Sequence, residues 1–375
     1  MNLQWVHNLC ILDEVGSYSL VDGSQYNTTT RNWSKVRVTD IDMAIDGNGD
    51  IYVVFKPGDG SVSVKVKKYD AQTGEWSDLG TINPDDQVDY ASIAVSDTDI
   101  FVAYRNLLDD ERIISYKSPK SSSTGSWQNI GYISDSRSSS VDIAVDSSGK
   151  VYAVYNEYGA NGSFSVNSKI YNGGWGSHQS VANTKGIEAK IESGKNAMYI
   201  HFLDEEDDYK LNVYRAIGGG SFLKLGGSFP APRAHYASLA EGSDGAVYVS
   251  YKNGNTLKVE TQKYSNSWQT VGQSVRNINE ESWMGETQTL AIGDDIFLVL
   301  QNRYWGGQLE IYRLETDNWA LVYEGNSSKY VFGIRASSNG DSAYISFTEK
   351  PGYVAEQQGN GDFISYLYKI ESTSN

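Results

Sequence analysis

A unit close to 49 residues long recurs seven times, and this constrains the fold more than anything else in the chain. A repeat of that length is a supersecondary unit that buries its apolar faces only by stacking on copies of itself. The copies read DIDMAIDGNGDIYVVF (40–55), ASIAVSDTDIFVAY (91–104), VDIAVDSSGKVYAVY (141–155), EAKIESGKNAMYIHF (188–202), ASLAEGSDGAVYVSY (237–251), TLAIGDDIFLVL (289–300) and FGIRASSNGDSAYISF (332–347). Anchored on Tyr52, Phe101, Tyr152, Tyr199, Tyr248, Phe297 and Tyr344, they are separated by 49, 51, 47, 49, 49 and 47 residues. A second anchor follows in the first six copies: Trp76, Trp127, Trp175, Phe222, Trp268 and Trp319, often inside phrases such as WSDLG, WQNIG and WQTVG.

Together the anchors imply four short strands per repeat. In DIYVVF and KVYAVY, residues of both parities are apolar, so both faces of the strand are covered. A sheet covered on both sides by neighbouring sheets is a propeller blade. The expected fold is all-β: one β-propeller domain over residues 1–375 with seven blades of four antiparallel strands and almost no helix. Repeat boundaries fall near 37–85, 86–135, 136–182, 183–230, 231–278, 279–326 and 327–375. The alternative is an eight-bladed ring with residues 3–36 as a degenerate first blade. The seventh repeat ends on its third strand, FISYLYKI (363–370), so the N-terminal segment 1–36 is expected to supply the fourth strand and close the ring. The segment around Trp33 (31–36) is favoured for that role over the one around Trp5 (3–7).

Composition narrows the partners. Lys plus Arg is 31 and Asp plus Glu is 47, a net charge of −16 that disfavours nucleic acid and anionic membrane surfaces. No run of eighteen apolar residues suggests a membrane span. With 27 Tyr and 9 Trp the chain has ample packable surface, and the single Cys10 allows neither an internal disulfide nor a multi-cysteine metal site. Met1 to Leu12 lacks a basic n-region, so the expected location is extracellular or cell-surface if a signal peptide has been removed and cytoplasmic otherwise. GxxxxGK[ST], GxSxG and HExxH do not occur.

KVKKYDAQTGEWSDL (65–79) resembles the later half of a kelch repeat, although Lys56-Pro57 stands where that family carries a Gly-Gly doublet. The alternation of IAV-type inner strands with Trp-Gly outer strands is similar to bacterial propeller lectins, and this likeness covers most of the chain. What these resemblances imply is the architecture.

Function is sought on the face carrying the irregular loops, since loops on a rigid scaffold are where sites are built. Asp85, Asp86 and Tyr90, Arg105, Glu157 with Tyr158, Glu281 with Trp283, and Arg303 with Tyr304 and Trp305 combine aromatic rings with carboxylates and guanidinium groups. Sugars are held this way, by a ring against C–H groups and forked polar groups on hydroxyls. Arg233, His235 and Tyr236 form the one loop-face cluster of His, Tyr and Arg, suited to proton abstraction, leaving-group protonation and neutralisation of a substrate carboxylate. His7, His178 and His201 read as structural. Asp204, Asp207 and Asp208 in DEEDD are a weak alternative for Ca²⁺; otherwise no cofactor is expected. Asp46-Gly47-Asn48-Gly49-Asp50 reads as a hairpin turn.

These observations favour a carbohydrate-binding, lectin-like propeller with a site for a glycan or other polar small molecule near the central channel, and no covalent chemistry. The alternative is a polysaccharide lyase or glycosidase acting at the same face, and the third reading is a protein-interaction scaffold.

Overall fold

The computed structural model describes residues 11–18, 39–56, 62–159, 164–182, 184–217, 220–227, 229, 233–277, 287–302, 308–316, 318–325, 329–340, 342–351 and 364–371. Seven antiparallel sheets stand in a ring, and the single helical element among these residues is one 3-10 turn, Glu205–Asp207. The eight-bladed alternative is thereby corrected to seven. In blades one to six the four strands of the sheet run in sequence from the channel outward, and in blade seven the first three do. The inner strands are Thr39–Ile45, Val88–Val95, Ser138–Val145, Gly186–Ser193, Ala234–Glu241, Thr287–Ile292 and Lys329–Ser338. Blade five carries an extra short strand, Val275–Asn277, against its third.

The ring closes in blade seven, where Ile11–Tyr18 pairs with Ile364–Glu371 as the outermost strand. Neither tryptophan-bearing segment does this, which corrects the preference for residues 31–36; Trp5 and Trp33 lie outside the described residues. The reason is reach. A chain leaving the outer strand must cross about 14 Å, three strand spacings, to the next inner strand, and the two residues between Val36 and Thr39 extend over about 10 Å at most. Starting from Tyr18 leaves ample chain.

Two devices join the blades. At the periphery, the Trp of one blade reaches the preceding blade's Trp- or Phe-x-x-apolar-Gly phrase: Trp127 Nε1 donates to the Leu79 carbonyl (2.9 Å) and Trp268 Nε1 to the Leu225 carbonyl (3.0 Å). The glycine after that carbonyl is required, because Gly226 has φ +68° and a Cβ there would lie 2.8 Å from the Trp268 ring. At the channel, amide groups on the exposed edge of the inner strands need acceptors. Asp42 accepts from the Ile93 amide (3.0 Å), Ser92 from Ile143 (3.1 Å) and Asp142 from Ile191 (2.8 Å), each one blade further round. Ser92 Oγ also lies 2.9 Å from both Asp42 and Asp142, and Ser238 Oγ lies 2.9 Å from Thr289 Oγ1.

The hairpins opposite the loop-rich face are tight. Asp46 Oδ1 accepts the amides of Asn48 (2.9 Å) and Asp50 (3.0 Å), and Asp146 repeats this with Ser148 and Lys150, so the Asp46–Asp50 stretch is an Asx-type turn.

Candidate functional site at the channel mouth

Inner strands are fed from the loop-rich face, and near their start the register slips by a bulge: between Asp89 and Ser92, Ile187 and Lys190, His235 and Ser238, and Phe332 and Arg335. The bulged residue is left-handed, with φ of 50° at Tyr90, 53° at Glu188 and 52° at Tyr236, while Gly333 takes the place in blade seven at 65°. A bulge re-aims its side chain, here into the channel, and for a non-glycine residue the conformation costs about 1 kcal/mol. Tyr90, Glu188 and Tyr236 all line the central channel, which encloses about 1200 Å³.

Tyr90 is 48 % exposed, and the Arg105 guanidinium lies over its ring at 4.9 Å. Arg105 is fixed by a two-pronged pair with Asp89 (2.6 and 2.5 Å), by Glu111 (3.1 Å) and by the Ser138 carbonyl (3.2 Å). Hydrogen bonding to Asp89 is the main reason its pKa rises. Glu111 passes the connection to Arg137 (2.9 Å), whose guanidinium covers Tyr158 at 4.8 Å, and Tyr158 in turn meets Phe164 at 4.3 Å. Arg112 covers Tyr132 at 4.1 Å. The loop face of blades two and three is thus a row of tyrosines held by guanidinium groups. Of the sequence candidates, Tyr90, Arg105 and Tyr158 belong to this row.

Others have different roles. Asp86 is buried and accepts from Tyr104 (2.5 Å), Asn106 (2.8 Å) and Tyr116 (3.4 Å). Glu157 caps the Asp135 and Ser136 amides (3.1 and 2.9 Å) and holds Asn167 (3.2 Å), while Asp85 is exposed on the same loop as Asp86. Glu281, Trp283, Arg303, Tyr304 and Trp305 lie outside the described residues.

Arg233, His235 and Tyr236 meet at the top of the junction between blades four and five. Arg233 pairs with Asp208 (3.0 Å), and the His235 ring has Tyr209 at 6.5 Å and Tyr236 at 6.3 Å. Burial, then the positive charges of Lys252 and Arg233, push the His235 pKa below the ordinary imidazole value. The DEEDD carboxylates diverge: Asp204 accepts from Thr184 (2.5 Å) and the Glu206 amide, Asp207 takes Lys210 (2.7 Å), and Asp208 takes Arg233. Among the described residues no three metal-ligating groups converge.

Sequence reasoning passed over the channel wall of blade four. Where other inner strands carry Asp42, Ser92 or Asp142 followed by Ala44, Ala94 or Ala144, this one carries Lys190 and Glu192 after Glu188. Desolvation inside the channel, reinforced by Asp142 and Asp42 and opposed by Lys190, pushes the half-buried Glu192 up to about 8; it also raises the buried Asp142, and Glu188, whose side chain is exposed to the channel. His201, paired with Lys190 in register, is pushed down to about 3 by burial and by that lysine. Aligning EAKIES with the other copies exposes these charges as departures from the repeat.

No family model matches the chain, and no curated protein does. Among solved structures, the polysaccharide lyase Uly1 superposes over 99% of this chain and 100% of that one, with a TM-score of 0.58 at 11% identity. An ulvan lyase of polysaccharide lyase family PL25, bound to a GlcA(1-4)Rha3S ligand, covers 87% of this chain and 91% of its own with a TM-score of 0.58 at 11% identity. A mutant of AofleA from Arthrobotrys oligospora covers 76% and 85%, with a TM-score of 0.51 at 11% identity. The likeness is one of fold.

Proposed function

We propose that this propeller binds carbohydrate on its loop-rich face, at the channel mouth across blades two and three, without covalent chemistry. The observation that carries the reading is Tyr90: half-exposed, turned into the channel by a bulge, and stiffened by an Arg105 that two carboxylates hold in place. A pre-positioned ring loses little freedom when a sugar packs on it, and the guanidinium and carboxylate groups beside it offer paired hydrogen bonds to hydroxyls. Resemblance in fold to proteins that handle polysaccharides supports the substrate class. The test is titration of the chain with an oligosaccharide panel. Tyr90→Ala is expected to weaken binding at least tenfold with an unchanged melting temperature; equal affinity in wild type and variant removes this site.

A second reading has its own observation. His235 is held neutral beside Arg233, Tyr209 and Tyr236, and a neutral imidazole is the form able to take a proton. In that reading the chain is a lyase: His235 abstracts the proton α to a uronate carboxylate that Arg233 neutralises, and Tyr236 protonates the departing oxygen. Incubation with uronate-rich polysaccharides is expected to generate the absorbance of an unsaturated product, lost in His235→Ala. Full activity in that variant excludes His235 as the base.

A further inference from the structure

Inner strands of neighbouring blades pack against one another around the ring, and least at the junction between blades four and five. There Lys190, which only donates, stands at the repeat position from which Asp42, Ser92 and Asp142 each supply an acceptor to the next inner strand at three other junctions. Yet the junction is held at both ends and outside. On the loop face the Arg233 amide donates to the Asp208 carbonyl (2.8 Å) and the Ala234 amide to the Tyr209 carbonyl (3.1 Å). At the opposite face Glu241 accepts from the Asn196 amide (2.9 Å) and side chain (2.8 Å), and at the periphery Trp268 bonds Leu225. A slot therefore opens off the channel, with Glu188, Lys190 and Glu192 on one wall and Tyr236 and Ser238 on the other.

At its back lies His201, 2 % exposed and lining the channel, whose Nε2 has no hydrogen-bond partner among the described residues. A buried imidazole nitrogen left without a partner is costly and points to a group that completes it. The channel leans acidic: Asp42, Asp142, Glu188, Glu192 and Glu241 line it against Lys190, Lys195 and Arg335, and Lys190 leans back towards Asp142 (3.8 Å), which leaves Glu188 and Glu192 to the slot.

We propose that this slot is a binding site for a small ligand carrying an ammonium group together with hydroxyls, an amino sugar or similar amine, with Glu192 receiving the cation and His201 completing its hydrogen bonds. An anion would face several carboxyl groups, whereas an ammonium beside Glu192 favours its ionised form, so that the proton this carboxyl otherwise keeps leaves to solvent as the cation binds. The site uses other residues than the Tyr90 row and stands or falls apart from the glycan reading.

The test is NMR titration of the full chain with glucosamine, glucose and methylammonium at low ionic strength, following the His201 ring signals and the affinity. Glucosamine is expected to shift those signals and glucose at equal concentration to leave them unmoved. Methylammonium separates the sources: binding as tight as glucosamine makes the ammonium sufficient, while weaker binding gives the sugar ring a share. Glu192→Gln is expected to weaken glucosamine at least tenfold, and Lys190→Met, which removes a competing cation, to strengthen it severalfold. Opposite signs in two variants cannot come from misfolding, which weakens both. Glucose binding as tightly as glucosamine, or two variants with wild-type affinity, overturns the proposal.

Discussion

Single side chains in the channel set how stability responds to pH. Glu192, raised from 4.5 to about 8, keeps its proton in the folded chain after the unfolded chain has lost it, so its contribution falls as pH rises between those values. His201 runs the other way: lowered from 6.5 to about 3, its contribution is complete above 6.5 and lost as pH falls towards 3. The two oppose each other between 4.5 and 6.5, and only Glu192 acts from 6.5 to 8. Asp142 and Glu188, also raised, add to the decline above the ordinary carboxylate range. Thermal melts from pH 6.5 to 8 are expected to show a falling melting temperature in the wild type and a shallower fall in Glu192→Gln. Identical slopes would mean that the carboxyl titrates in the fold as it does in the unfolded chain.

Among the elements, the outer strands show what a repeat reveals and what it withholds. Trp127 and Trp268 were legible as anchors, because their spacing recurs, but not as bonds to the preceding blade's carbonyl, because nothing in one copy names a partner about 45 residues away. The glycine of the same phrase acquires its reason only from that neighbour. Gly226→Val is expected to cost about 1–3 kcal/mol, combining a left-handed backbone with a clash against Trp268, in urea unfolding. A loss within error would mean that the indole moves aside freely. The loop-face site was half legible for the same reason. Tyr90, Arg105 and Tyr158 stood out as residue types, whereas Asp89, Glu111 and Arg137, which fix them, are ordinary surface charges until two blades are side by side.

At the scale of the whole molecule, seven blades and their strand order follow from the period, and the need for a closing strand follows from the truncated last copy. Which segment closes is set by the length of chain needed to cross a blade, a constraint that the repeating tryptophan does not carry. Deleting residues 1–18 is expected to leave Ile364–Glu371 as an unpaired edge, giving a lower melting temperature and self-association in size-exclusion chromatography. A monomer as stable as the intact chain would show that another segment can take over the edge.

The joint between blades four and five is the one with least packing along its inner margin, so its hold rests on its two ends and its rim, where the Arg233, Ala234, Asn196 and Trp268 donors cross it.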